Sequence, residues 1–266
     1  MGSSESHRVA LKTDDQTSSN NLIMSSPHKG ISDETGANSR HTLHSLDDLG
    51  ETAEPGSAIR SPRIDQVLDW ARTFLSAPHP DLGRPGHVCP FVKPALDTHK
   101  SLYFAELSEQ DGHPEHIQEE LLALLHSYRE KLERHKSASP FLAAIIIPPE
   151  SYSSEAGFDQ IKAIQSRLKP LFAKLGLMIG QLHPLNTEPG LHNPEFRPLQ
   201  SPVPLFVYRI MQINDLPFLC YDETLLNAYK TTFRLHTRTD LEKGLREARI
   251  PQLPIGWKAF VDQAFD

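Results

Sequence analysis

The chain has 266 residues, a formal net charge of −7 and 38% hydrophobic residues. That length holds one large domain or two small ones, and the apolar share supports a real core. The acidic balance argues against nucleic acid, which is bound by clustered Lys and Arg that displace counterions.

No run of about 18 apolar residues exists, so no membrane-spanning helix is expected. The first residues lack the apolar core of a secretory signal. Cys89 and Cys220 are the only cysteines, so a reduced, cytoplasmic compartment is expected.

Residues 1–60 are rich in Ser, Asn, Asp, Thr, Gly and His with isolated aliphatics. Such a segment cannot bury enough apolar surface to offset the entropy of ordering it, and it is expected to be a disordered tail. Order begins at Ser61, an N-cap followed by Pro62 in the first helical position, where a missing N–H costs nothing. Ile64, Val67, Leu68, Ala71, Phe74 and Leu75 then share one helical face. Pro78 and Pro80 stop this helix, and Gly83, Pro85 and Gly86 mark irregular chain.

Residues 101–107 alternate as a strand does. Pro114 opens a helix reaching about His135, with Ile117, Leu121, Leu124, Leu125, Tyr128 and Leu132 inward. Its His113, His116, His126 and His135 read as a solvated face, with Glu130 and Arg134 as an i,i+4 ion pair. Residues 141–147 are a continuous apolar run, the mark of a strand buried on both faces. Residues 154–175 are helical and closed by Gly176, with Pro170 expected to kink the last turns.

Residues 177–182 and 203–211 read as strands. Asp222 caps a helix reaching Phe233, and Thr239 with Glu242 forms a capping-box pattern for another. The expected fold is α/β, with α+β as the alternative. It is a single domain over residues 61–266 with a small mixed sheet of about four strands flanked by helices. Helical crossovers favour parallel neighbours among the first three strands, and the fourth is expected to be antiparallel.

Between the last two strands runs the most informative stretch, GQLHPLNTEPGLHNPEFRPLQSPVPLFVYRIMQINDLPFL over residues 180–219. Six prolines from Pro184 to Pro204 restrict its backbone. Long irregular connections inside a domain are uncommon and are usually functional or disordered. A stiff loop studded with polar groups looks like the rim of a pocket for a small molecule.

His183, at a strand end, is a metal-ligand candidate or a cap for loop backbone. His192 has the same two readings. With Glu195 or Glu188 the two histidines could supply a facial triad for nonheme iron, while zinc is disfavoured without a Cys-x-x-Cys pair. Arg197 and Arg209 are natural anion binders, and Arg84 is a further candidate in a turn setting. Arg209 lies in an apolar strand and needs a partner, either a ligand's anionic group or Asp215. Cys89 reads as an axial thiolate ligand, a nucleophile served by His87, or a buried small hydrophobe. No phosphate loop, dinucleotide fingerprint or G-x-S-x-G elbow is present, which disfavours kinase, dehydrogenase and hydrolase readings.

GRPGHVCPF (residues 83–91), with the later LHP, LHNPEFRP, SPVP and R-I-M-x-I-N-D-L-P-F, resembles a microbial family known as a domain of unknown function. The overall plan is also similar to the YqcI/YcgG family, which likewise places a Cys-Pro-Phe-type motif just before its first strand. Some of its members are heme-dependent oxygenases that oxidise amino-acid nitrogen in specialised metabolism. That second resemblance implies a heme-dependent oxygenase acting on a small amino-acid-derived metabolite. His183 would hold the iron, Arg197 or Arg209 a carboxylate or heme propionate, and Asp215 a substrate amine. The alternative is a non-catalytic small-molecule-binding or accessory protein of a biosynthetic pathway. Oligomeric state is not legible.

Overall fold

The computed structural model describes residues 42–50, 60–109, 112–135, 140–250 and 253–266. The first helix, α1 (Pro62–Trp70), starts as its cap requires: the Ser61 side chain accepts from the Ile64 amide and proline takes the first position. A π-helical turn, Ala71–Leu75, extends it. After α2 (Val92–Asp97) come β2 (Leu102–Glu106), α3 (Pro114–Arg134), β3 (Ala143–Ile147), α4 (Glu155–Lys174), β4 (Leu177–Leu182) and β5 (Leu205–Ile210). Three helices close the chain, α5 (Glu223–Phe233), α6 (Arg238–Glu247) and α7 (Trp257–Phe265). Among the described residues no helix is long and apolar enough to cross a membrane.

The sheet is mixed, as expected, but it has five strands in the order β1-β2-β3-β5-β4. The fifth is β1 (His44–Ser45), paired antiparallel to β2. It lies in the segment whose composition suggested a tail. That expectation fails for residues 42–50, where Leu43, Leu46 and Leu49 are all buried. A turn built by Asp48, which accepts from the Ser45 amide at 2.7 Å and hydroxyl at 2.8 Å, folds the three leucines inward. The rest of the expected tail, residues 1–41 and 51–59, lies outside the described residues.

β2 and β3 are parallel, as their helical crossover requires. β4 shares their direction but does not touch β3, because β5 inserts between them and runs antiparallel to both. The capping box of α6 uses Thr237 and Asp240, two residues before the expected pair. α3 and α4 cover one face of the sheet, with Leu121, Tyr128, Ile161 and Phe172 packed on Ala144, Ile146, Ile179 and Tyr208. α1 and α2 cover the other, with Val67, Leu68 and Leu96 on Phe104, Ile145 and Leu205. A third cluster joins the C-terminal helices to Met178 and Met211.

Candidate functional site

The connection over residues 183–204 is held by its own polar groups as well as by its prolines. Buried Asn186 donates to the Gln181 side chain at 3.3 Å and accepts from the Glu188 amide at 3.0 Å. Gln200 donates back to the Asn186 carbonyl at 3.2 Å. Further on, the Gly190 amide bonds the Phe196 carbonyl at 2.8 Å, which folds the segment over Asn193. That asparagine accepts from the Glu195 amide at 3.0 Å and donates to the Asp81 carbonyl at 2.8 Å.

The loop thereby docks on the turn that follows α1. Gly83, at φ +76°, sits where any side chain would collide with the His192 carbonyl. Glycine is required there both for the left-handed backbone and for the close approach.

A cleft of about 520 Å³ opens along this docking line. One wall is Trp70, Phe74, His79 and Asp81; the other is Asn193, Glu195, Phe196, Arg197 and Gln200. Four rings line it: Trp70 stacks on Phe74 at 6.0 Å, and Phe196 lies 6.1 Å from Phe74 and 4.8 Å from His79. The His79 Nδ1 accepts from the Asp81 amide at 3.2 Å and stands 3.9 Å from its carboxylate. Arg197 turns Nη1 onto the carbonyls of Pro194 and Phe196. Among the described residues, Arg197 and Glu195 make no ion pair.

The residues singled out in the sequence fall into separate places. Arg209 donates from both terminal nitrogens to Asp215, at 2.6 and 2.7 Å. Asp215 also accepts from the Gln212 amide at 2.7 Å, and its side chain is only 6% exposed. Burial alone would push the Arg209 guanidinium down, but the charge and hydrogen bonds of Asp215 outweigh it, so its pKa rises. Of the two partners expected for Arg209, this is the structural one, Asp215.

His183 lies flat on Phe158 of α4, with ring centroids 4.5 Å apart. Its Nδ1 is buried without a hydrogen-bond partner among the described residues. Burial lowers its pKa, with smaller opposing effects from Asp159 and Lys162.

The register explains why these residues do not meet. Leu182 pairs with Leu205, whereas Arg209 pairs with Met178, about 13 Å along the strands. The faces differ as well: His183 stacks on α4, which packs against Tyr208, and the next residue along a strand points the other way. His183, the Arg209–Asp215 pair and the cleft with Arg197 are therefore three locations. The cleft that holds Arg197 contains neither His183 nor Arg209, so among the described residues the expected iron ligand and propionate clamps do not share it, and this set does not fit a heme group.

The facial triad also fails to assemble. Among the described residues no group of three His, Cys, Asp or Glu is placed to hold a metal ion. His192 is half-buried, with its pKa lowered by burial and then by Arg84, and Glu188 is exposed.

GRPGHVCPF turns out to be a staple for the cleft. The Cys89 amide bonds the Leu75 carbonyl at 2.9 Å, the Val88 amide bonds the Ala77 carbonyl at 2.9 Å, and Arg84 reaches the Val88 carbonyl at 3.1 Å. His87 pairs with Pro78 in an isolated bridge, so it is held by backbone beside Cys89. This staple fixes the wall that carries Phe74 and His79.

The family described as a domain of unknown function, DUF6875, matches residues 64–244. The chain belongs to this family. No curated protein and no solved structure matches it.

Both walls of the cleft fall inside the span of DUF6875, as do β2 to β5 and the staple. The β1 segment and α7 fall outside it. Arg197 and Glu195 were legible as candidates within the DUF6875 loop. Trp70, His79 and Asp81 were not, although Trp70 and Phe74 stand at helical i,i+4 spacing, and His79 caps a turn opened by Pro80.

Proposed function

We propose that this protein binds a small metabolite in the cleft between the α1 turn and the 183–204 loop. One observation carries the reading: two segments more than a hundred residues apart are stapled together around a concave site of about 520 Å³. The site combines aromatic walls with a few charged groups of both signs. Ligand sites are typically concave, ring-lined and pre-formed, with volumes of roughly 300–1,000 Å³ and a small number of placed polar groups. The proposal is one of binding, as a carrier or accessory protein of a biosynthetic pathway, and it assigns no reaction.

Trp70 and Trp257 are the two tryptophans of the chain, and only Trp70 lines this cleft. Their indole N–H resonances therefore provide a reporter and an internal control. A screen of small metabolites should contain compounds that shift the Trp70 signal and leave Trp257 in place. Compounds that bind and move only Trp257 would refute the placement.

The heme-dependent oxygenase reading makes a different prediction, read from the absorption spectrum of protein expressed with heme precursor. A Soret band lost in His183→Ala would favour that reading. The binding reading expects a colourless protein.

A further inference from the structure

We infer that the cleft recognises a zwitterion with an apolar body: an ammonium held by Asp81 and Glu195, and a planar anion such as a carboxylate held by Arg197. The inference rests on the cleft being the ligand site and names the class of molecule it takes.

The first ground is the state of the charges. Arg197 and Glu195 are two residues apart on one wall, yet they do not pair. The loop aims Arg197 Nη1 at the carbonyls of Pro194 and Phe196 instead. That fixes the plane of the guanidinium and leaves the edge formed by Nε and Nη2 without a hydrogen bond among the described residues. This edge matches a carboxylate with two parallel hydrogen bonds, a geometry that a lysine cannot offer.

The second ground lies opposite. Asp81, on a turn whose backbone is bonded by His79 and Asn193, lines the same wall as the stacked pair Trp70 and Phe74. Carboxylates next to aromatic faces favour a cation, since ring quadrupole and formal charge attract it together.

The alternatives use the cleft less well. A purely anionic ligand, such as a nucleotide, would meet two carboxylates for one guanidinium. A neutral ligand would leave all three charges to water. A simple cation would meet Arg197. A zwitterion satisfies both signs at once, and Trp70, Phe74 and Phe196 cover its body.

Three probes with one body test this on the full-length protein: phenylalanine, phenethylamine and 3-phenylpropionate. The Trp70 indole resonance is the readout and Trp257 the control. Phenylalanine should saturate the Trp70 shift at a concentration about tenfold or more below either singly charged probe, as expected for losing a charged hydrogen-bonded contact. In a variant carrying Asp81→Asn and Glu195→Gln the advantage over 3-phenylpropionate should vanish, while the advantage over phenethylamine persists. Arg197→Lys should do the converse, and an unmoved Trp257 signal shows that each variant is folded. If either singly charged probe matches phenylalanine, the zwitterion inference fails and the cleft reading stands. If all three leave Trp70 unmoved while other metabolites shift it, the inference also fails alone. If no compound of any class shifts Trp70, both fail together.

Discussion

Arg209 with Asp215, and Arg197 with Glu195, are the same two chemical groups in two surroundings. In the first pair the carboxylate is 6% exposed, and the guanidinium closes on it through two short bonds. In the second, both groups sit on the rim of an open cleft and ignore each other, the arginine bonding backbone instead. Desolvation decides the difference. An unpaired charge inside the protein is too costly to keep, so an interior arginine reports on structure. At a hydrated rim, pairing contributes little, so charges there are free for a ligand.

The sharpest way to break this comparison is to remove one carboxylate from each place. Asp215→Asn leaves Arg209 charged, partly buried and without its partner. Stability should fall by about 2–3 kcal/mol, below the roughly 3–5 kcal/mol of a fully enclosed pair, because Arg209 keeps 29% of its side chain exposed. Asp81→Asn with Glu195→Gln should change it by less than about 0.5 kcal/mol. Urea unfolding of both variants measures this. Equal losses would show that the cleft carboxylates are structural, and the ligand assignment would fall with that result.

Much of the fold was legible, and the misses share a cause. Strand β4 was read to its last residue and β2, β3 and β5 to within two, because apolar runs and proline boundaries are local signals. The insertion of β5 between β3 and β4 was not legible, since strand order depends on which edges meet rather than on any window of sequence. β1 was hidden because three buried leucines are diluted by polar neighbours in any compositional average.

At the candidate site, the loop that lines the cleft was singled out in the sequence, but the wall it faces was not. Residues 70–81 contribute through contacts across more than a hundred residues. Arg209 and Asp215 looked like ligand groups for a related reason. Charge in an apolar strand announces that a partner exists without saying whether the partner is part of the chain.

A second experiment asks whether the cleft is organised before its ligand arrives. Pro194 and Pro198 bracket the segment bearing Glu195 and Arg197. Proline where φ suits the folded state reduces the freedom of the unfolded chain, by about 0.4–1 kcal/mol per site, and pre-ordering lowers the entropic cost of binding. Replacing both with alanine should cost about 1 kcal/mol of stability and weaken the Trp70-reported affinity several-fold. The hydrogen bonds of Asn186 and Asn193 should keep the loop docked in this variant. Unchanged affinity would mean that those bonds alone hold the rim. A collapse of stability together with binding would place the loop in the core.

The smallest effect concerns half-buried His183, one of the groups with an unpartnered buried atom among the described residues. Its Nδ1 is buried without a hydrogen-bond partner among the described residues, and burial depresses its pKa below the ordinary 6.5. His44, also depressed chiefly by burial, and His192 behave alike. The unfolded chain therefore takes up protons at a higher pH than the folded one. Stability rises with pH wherever the unfolded state binds more protons, so these residues contribute fully above about 6.5 and lose their contribution as pH falls toward the folded values. Urea midpoints should drop between pH 7.5 and 5.5, well above the range in which ordinary carboxylates titrate. His183→Phe keeps the stacking on Phe158 and deletes the orphaned nitrogen, so it should flatten part of this slope without destabilising the protein at pH 7.5. An unaltered slope would mean that water reaches His183 and satisfies its Nδ1.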